Sequence, residues 1–206
     1  MQQEKLIVFV KAPRPGTVKT RLARTIGPEA ACAAYQCLVL TLLRQLQPLP
    51  ALELCFSPDD AASEVHAWLR KGWESGPQGP GDLGHRLCGA FSRAFACGSR
   101  RVVVLGSDCP TVTVEDLRHA WNHLRQRDVV LGPAADGGYW LIGLRQPQPD
   151  LFREIPWSSE RVLEETLNRC RRARLTVELL RRQSDVDTVE DWNGFLAAQN
   201  AGGKNA

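Results

Sequence analysis

The sequence lacks the patterns that would assign it at once to several large classes of protein. Its seven cysteines are an odd number and include no C-x-x-C pair, which argues against a structural zinc site or a disulfide framework. No apolar run is long enough to cross a bilayer. The short apolar stretch near the N-terminus leads into Lys11, Arg14 and Lys19, unlike a secretory signal peptide. These absences indicate a cytoplasmic protein with reduced and mostly buried thiols.

A strong charge of one sign is also missing. The formal net charge is +3, whereas nucleic-acid-binding domains concentrate a larger basic excess, so nucleic acid is not an expected partner. The chain also has no internal repeat, low-complexity tract or interdomain linker. We therefore expect one domain over residues 1–199 and a flexible tail over residues 200–206, which are rich in Gly, Asn and Ala.

Short apolar runs alternate with amphipathic stretches along the chain. Residues 6–10 and 102–105 are unbroken apolar runs, typical of strands buried on both faces. Further strands are predicted over 51–56, 128–133 and 175–180. Helices are predicted over 29–46, 59–71, 82–97 and 158–173, and two more helices are predicted to begin at 113 and at 188. The Gly- and Pro-rich residues 72–81 are predicted to form an exposed loop. This alternation predicts an α/β domain with a mostly parallel central sheet flanked by helices.

Asp108 stands just after the predicted strand 102–105. Gly106 breaks the apolar run and Pro110 prevents its continuation. Ligands of open α/β sheets bind at the carboxyl ends of the strands, and a carboxylate there can hold a hard cation such as Mg²⁺. A simple turn-capping role would also explain an aspartate at this position.

A cationic loop follows the first predicted strand. It carries Lys11, Arg14, Lys19 and Arg21 among two prolines and a glycine. Cations between a strand end and a helix start make a good phosphate site, although a solvated basic loop would look the same. The spacing is neither a Walker A loop nor a G-x-G-x-x-G fingerprint, because Gly16 is not followed by the required second glycine before the lysine.

Three further segments combine turn chemistry with possible ligand contacts. Asp82 suits a helix N-cap, and His85 or Arg86 in the next turn would face a ligand bound there. The segment Asp136-Gly137-Gly138-Tyr139 suits a hairpin turn, but its acid, glycines and aromatics also suit a sugar or another small polar substrate. Near the C-terminus, two acids, Asp185 and Asp187, precede a capping-box-like Thr188 and Asp191.

The order and spacing of these segments resemble the GT-A superfamily of nucleotide-sugar and nucleotidyl transferases. More closely, they resemble a family of small bacterial GT-A-type proteins that was first described as a domain of unknown function. The resemblance rests on Lys11-Ala-Pro-Arg-Pro-Gly-x-x-Lys-Thr-Arg21, Gly81-Asp-Leu-Gly-x-Arg86, Gly106-Ser-Asp-Cys-Pro110, Asp136-Gly-Gly-Tyr139, Pro156-Trp-Ser158 and Asp185-x-Asp-Thr188. These segments span nearly the whole chain, so the resemblance implies a single-domain GT-A fold.

The resemblance also implies roles for individual residues. Asp108 takes the place of the metal-binding acid of the superfamily's Asp-x-Asp element, although Ser-Asp-Cys-Pro here retains one acid of that pair. Asp187 matches the acid that supplies a second contact to Mg²⁺ or Mn²⁺. Lys11, Arg14, Lys19, Arg21, Asp82 and Arg86 would lie on the nucleotide side. Asp136, Gly137, Gly138, Tyr139, Trp157 and Ser158 would line the sugar or acceptor side, with Asp136 in a catalytic role.

Three functions are consistent with these residues. The first is glycosyl transfer from a nucleotide sugar to a small-molecule acceptor, in which cations offset the charge on the donor phosphates. The second is nucleotidyl transfer, in which a phosphorylated acceptor attacks an NTP. The third is a non-catalytic nucleotide-binding module.

Overall fold

Seven strands form one sheet in the computed structural model, which describes residues 3–202. The strands are β1 Glu4–Lys11, β2 Glu53–Ser57, β3 Glu74–Pro77, β4 Arg101–Gly106, β5 Val129–Pro133, β6 Tyr139–Leu144 and β7 Val177–Leu179. The helices are α1 Thr20–Ile26, α2 Pro28–Gln45, α3 Ala62–His66, α4 Leu83–Ala96, α5 Val114–His123, α6 Val162–Arg172 and α7 Val189–Gly202. A short 3₁₀ turn covers Pro149–Phe152.

The sheet is mostly parallel, as the sequence predicts. Its strand order is β3-β2-β1-β4-β6-β5-β7. Strand β6 runs antiparallel to its neighbours β4 and β5, and the other described strand pairs are parallel. The turn between β5 and β6 contains Asp136 to Gly138, which confirms the predicted hairpin. The result is a single mixed α/β domain.

Strands β1 and β4 lie together at the centre of the sheet, which confirms the prediction from their unbroken apolar runs. They pair in parallel, with Leu6 opposite Val103. Because side chains alternate along a strand, Leu6 and Val8 pack in one hydrophobic cluster and Ile7 and Phe9 pack in another. The sheet is therefore covered on both faces, and the carboxyl ends of β1 and β4 meet at one edge.

The segment between β2 and α4 differs from the prediction. The helix predicted over 59–71 is wrong, because α3 covers only Ala62–His66. Beyond it, turns join Trp68 N to the Val65 carbonyl at 2.9 Å and Trp73 N to the Arg70 carbonyl at 2.9 Å. These turns bury both indoles. The predicted exposed loop over 72–81 is also wrong in part, since β3 forms there as a short edge strand on β2.

Two segments in the C-terminal half of the chain, the start of α6 and the end of α7, also differ from the predicted boundaries. Helix α6 begins at Val162 rather than at 158, and Ser158 adopts a positive φ of 65° before it. Helix α7 continues through Gly202, so residues 200–202 of the expected tail are helical. Residues 203–206 of that tail lie outside the described residues. Within residues 3–202, no helix has the length and apolar character needed to cross a membrane.

Candidate active site

A cleft of about 940 Å³ opens at the carboxyl edge of β1 and β4. This is the edge at which open α/β sheets bind ligands. The volume is near the upper end of the range of roughly 300–1,000 Å³ for small-molecule sites. The predicted site residues that line the cleft are Lys11, Lys19, Arg21, Arg86, Asp108, Asp136, Gly138, Tyr139, Trp157, Ser158 and Asp187.

Asp108 and Asp187 converge on one cationic group. Both carboxylates form a salt bridge with the ammonium of Lys19, at 2.9 Å for Asp187 Oδ1 and at close contact for Asp108 Oδ1. The two segments are tied together by a hydrogen bond that Val186 N donates to the Asp108 carbonyl at 3.1 Å. A second bond orients Asp187, because its N–H donates to Asp191 Oδ2 at 3.1 Å. The fold therefore places two acids from distant segments around a shared point.

Lys19 is almost fully buried between these acids, with its side chain 2% exposed. Burial lowers the pKa of Lys19, but the charges of Asp108 and Asp187 outweigh this effect and hold the pKa above its ordinary value. The residue precedes α1 and has a left-handed backbone, with φ 47°. A non-glycine residue in that region is strained, by about 1–3 kcal/mol. The two ion pairs hold Lys19 in this conformation despite that cost.

Asp185 forms a second acidic position beside the pair. Its Oδ1 accepts a hydrogen bond from the Cys109 thiol at 2.7 Å. Burial and the charges of Asp108, Asp136 and Asp187 raise the pKa of Asp185 to about 6, against the opposing effect of that hydrogen bond. The cleft therefore contains a concentration of negative potential that a bound cation would relieve.

The cationic loop reaches the cleft with only some of its charged residues. Lys11 and Arg21 line it together with Lys19, and Arg21 Nη1 lies 3.9 Å from Asp187 Oδ2. Arg14, which we expected to contact phosphate, instead binds Glu64 at 2.6 Å and Asp60 at 3.1 Å. The structure thus gives Arg14 a role in fixing the loop against α3 rather than a place in the cleft.

The first turns of α4 line the cleft next to this loop. Asp82 caps the helix by accepting from His85 N at 2.9 Å, and it does not line the cleft. Arg86 does line it, and donates to the Gly81 carbonyl, Ser57 Oγ and Gln78 Oε1 at 3.0–3.3 Å. Asp82 therefore caps α4 outside the lining, whereas Arg86 lies in the lining.

Opposite the loop, the β5–β6 turn packs against the segment before α6. Gly137 has φ +88°, and a Cβ there would lie 2.1 Å from the Glu160 carbonyl, so only glycine fits. This close approach leaves Gly137 itself outside the lining, while Gly138 lines the cleft. The rings of Tyr139 and Trp157 meet edge to face at 6.5 Å. They form an aromatic wall of the kind that binds sugar or aromatic rings.

Several residues of the site carry no functional signal in the sequence. The Tyr35 hydroxyl accepts from Lys11 N at 2.7 Å and shares a hydrogen bond of 3.1 Å with Ser107 Oγ, which fixes the end of β1. In the sequence, Tyr35 lies at apolar helical spacing and is indistinguishable from a core residue. Glu160 also lines the cleft, and its sequence context offers no signal beyond a polar loop.

The donor set fits a divalent metal ion. Carboxylate oxygens are the ligands that Mg²⁺ and Mn²⁺ prefer, and Asp108 and Asp187 already share one positive charge, that of Lys19. Within residues 3–202, no group of three or more His, Cys, Asp or Glu side chains is arranged to hold a metal. Two protein carboxylates suffice where a nucleotide supplies phosphate ligands and water completes the shell. The site therefore suits a metal shared with a bound nucleotide.

The fold and the cleft define a protein of the nucleotide-diphospho-sugar transferase-like class. The chain belongs to the family described as "Uncharacterized protein conserved in bacteria (DUF2064)", whose model matches residues 41–159. A "putative nucleotide-diphospho-sugar transferase" from Desulfovibrio desulfuricans G20 is 40% identical in sequence, with a TM-score of 0.89 over 95% of this chain and 87% of that chain. These matches confirm the resemblance that the sequence motifs indicate.

More distant solved structures share the fold. Rv0371c from Mycobacterium tuberculosis H37Rv, solved in complex with manganese, is 18% identical, with a TM-score of 0.60 over 95% of this chain and 99% of that chain. A cytidylyltransferase from Leptospira borgpetersenii serovar Hardjo-bovis is 14% identical, with a TM-score of 0.60 over 93% of this chain and 84% of that chain. At such identities the likeness concerns the fold alone. Among curated proteins, none matches this sequence.

Proposed function

We propose that this protein is a metal-dependent glycosyltransferase that moves a sugar from a nucleotide-activated donor to a small-molecule acceptor. The observation that carries the proposal is the convergence of Asp108 and Asp187 on one cation, inside a cleft that also contains Lys11 and Arg21. The similarity to a "putative nucleotide-diphospho-sugar transferase" supports the choice of donor.

The cations of the cleft would bind the donor diphosphate. Lys11 ends β1 and Arg21 lies in the first turn of α1, and both line the cleft, whereas Lys19 is already fixed between Asp108 and Asp187. Asp108 and Asp187 would hold Mg²⁺ or Mn²⁺, which when bound supplies positive charge beside the diphosphate. Fixed charges of this kind stabilise a developing negative charge without reorganisation during the reaction. The protein therefore acts chiefly through positioning and electrostatics.

The acceptor would bind on the opposite side, near Asp136 and the aromatic wall. Its nucleophilic oxygen forms a bond to the anomeric carbon of the donor sugar, while the bond from that carbon to the phosphate oxygen breaks. The nucleoside diphosphate leaves with the electron pair. Asp136 is exposed in the cleft and would accept the proton that the acceptor loses.

Product analysis distinguishes this proposal from nucleotidyl transfer. The protein would be incubated with Mg²⁺ or Mn²⁺, a mixture of small acceptors, and a panel of nucleotide sugars and NTPs. Release of nucleoside diphosphate from a nucleotide sugar, lost in the matched Asp108→Asn variant, is the expected result. Release of pyrophosphate from an NTP would instead identify a nucleotidyltransferase. Neither product, together with nucleotide binding, would identify a binding module.

A further inference from the structure

We infer that the acceptor of this cleft is an uncharged hydroxyl compound that presents a ring face, and that phosphorylated acceptors are rejected. The inference rests on the proposed glycosyl transfer and specifies its acceptor. It follows from how charge is distributed along the cleft. We call the lining formed by Asp136, Gly138, Tyr139, Trp157, Ser158 and Glu160 the acceptor half.

The charged side chains of the acceptor half are both acidic. Within residues 3–202, the Lys and Arg side chains that line the cleft come from the cationic loop and from α4; they are Lys11, Lys19, Arg21 and Arg86. The acceptor half contributes Asp136 and Glu160 instead, and both side chains are exposed. An acceptor phosphate would therefore sit beside two carboxylates with no cation of its own, and juxtaposed like charges are strongly unfavourable.

Two arginines next to this half in the chain or in space, Arg161 and Arg182, are bound elsewhere. Arg161 Nη2 donates to Glu165 Oε1 at 2.8 Å, on the exposed side of α6. Arg182 Nη2 donates to the Ala135 carbonyl at 2.9 Å and is not part of the lining. Recruiting either side chain to an acceptor phosphate would require breaking an existing contact.

The N-terminus of α6 does not provide a substitute anion site. Leu163 N donates to the Gly137 carbonyl at 2.9 Å, and Val162 N donates to the Ser159 carbonyl at 3.4 Å. The first turn of the helix also carries Glu164 and Glu165, which already complement its dipole. The free donors that make a helix start attractive to phosphate are thus occupied or electrostatically opposed.

The same half offers apolar surface to a ring. Trp157 and Tyr139 form the edge-to-face aromatic wall of this half. Trp157 is held in place, since its indole packs directly against Gly84, where a Cβ would lie 2.7 Å from Nε1. Carboxylates that accept hydroxyl hydrogen bonds beside an aromatic face suit a sugar or an aryl glycoside.

A matched pair of probes tests the inference. Phenyl β-glucoside and phenyl β-glucoside 6-phosphate would be titrated into the protein saturated with nucleoside diphosphate and Mg²⁺, with binding measured by calorimetry. We expect the phosphate-free probe to bind at least about tenfold more tightly. Glu160→Gln should reduce that preference severalfold, whereas Glu164→Gln, an exposed carboxylate outside the lining, should leave it unchanged. Equal binding, a preference for the phosphate, or binding of neither probe would overturn the inference.

A different result would refute the proposed glycosyl transfer itself. Pyrophosphate release from an NTP, without nucleoside diphosphate release from any nucleotide sugar, would refute glycosyl transfer whatever the binding preference of the probe pair. Conversely, nucleoside diphosphate release with a phosphorylated acceptor preferred would leave glycosyl transfer intact and refute the acceptor inference.

Discussion

Two carboxylate–cation clusters in this protein differ in which partner is buried. At the start of α5, the Asp116 side chain is 8% exposed and Arg181, which binds it, is 51% exposed. In the cleft the order is reversed, because Lys19 is 2% exposed while Asp108 and Asp187 are 45% and 38% exposed. A buried acid must have its lone pairs satisfied by the protein, whereas an exposed acid can offer them to a ligand.

The hydrogen bonds of the two clusters bear this out. Asp116 Oδ2 accepts from Thr113 N at 2.8 Å, Thr113 Oγ1 at 2.9 Å and Arg181 Nη2 at 2.8 Å, while Oδ1 accepts from Arg181 Nε at 2.6 Å. These contacts close the capping box of α5 and tie it to the segment after β7. Asp108 and Asp187 share Lys19 and otherwise face the cleft. The contacts of the first cluster therefore stabilise the fold, whereas the acids of the second remain open to a ligand.

The largest effect should come from Asp108→Asn. The amide keeps the shape of the carboxylate but removes a charge that we propose binds the metal, so turnover should fall by about 10²–10³-fold. Mn²⁺ binding in the presence of nucleotide, measured by electron paramagnetic resonance, should weaken in parallel. The free energy of unfolding should fall by only about 1–2 kcal/mol, because the buried Lys19 loses one acidic partner but keeps its salt bridge with Asp187. Wild-type Mn²⁺ affinity in this variant would contradict the assignment.

Asp116→Asn should have the opposite profile. Removing the charge leaves Arg181 without its partner and weakens the helix cap, so the free energy of unfolding at pH 7 should fall by about 2–3 kcal/mol. Turnover per folded molecule should stay within about twofold of wild type. Urea unfolding and a turnover assay on the same preparation check both statements. A large loss of turnover without a loss of stability would show that the two clusters do not divide the roles as described.

The pH dependence of that stability difference has a definite sign. Burial raises the pKa of Asp116, but the hydrogen bonds from Arg181 and Thr113 outweigh it and lower the pKa below its ordinary value of 3.8. A lowered folded-state pKa contributes stability above pH 3.8, and that contribution is lost as the pH falls through the folded-state value. The gap between wild type and Asp116→Asn should therefore be constant over neutral pH and narrow below about pH 4.

The two clusters also show what sequence can and cannot predict. The capping box of Thr113 and Asp116 at the start of α5 is a local pattern, since its two residues lie three positions apart in the sequence. The arginine that completes it is 65 residues away, in a sequence rich in arginine, so no local signal identifies it. Lys19 and Asp187 are separated by 168 residues. The resemblance to a known family implied that Lys19 and Asp187 belong to one site. Only the fold shows that Lys19 is buried between Asp108 and Asp187.

The same distinction holds for the fold. The central strands are predictable because their apolar runs must be buried on both faces of a sheet. The edge strand β3 is not, because its sequence, Glu-Ser-Gly-Pro, carries turn-forming residues and is held only by pairing with β2. Likewise, nothing in the sequence distinguishes Arg14 from Lys11 and Arg21. Its salt bridge with Glu64 depends on where α3 packs, which the sequence does not indicate.

The smallest effect should come from Arg21→Ala, which tests the exposed rim of the cleft. Arg21 is 67% exposed and lies 3.9 Å from Asp187, so solvent and salt screen its charge. We expect nucleoside diphosphate binding to weaken about two- to fivefold at low ionic strength, where the screening length is roughly 30 Å. The difference should largely vanish near 1 M salt, where that length falls to roughly 3 Å. Calorimetric titrations at both salt concentrations measure it.

Arg24→Ala is the matched control for that variant. Arg24 is an exposed arginine on the same helix, α1, but it does not line the cleft. It therefore removes the same net charge from a position outside the lining, where the charge acts on the phosphates over a longer distance and through more solvent, so its effect should be smaller than that of Arg21→Ala. If both variants weakened binding to the same extent, the effect would come from net charge rather than from the rim of the cleft. A loss for Arg21→Ala that persisted at high salt would instead indicate a direct, desolvated contact, and Arg21 would then belong with Lys19 among the buried cations.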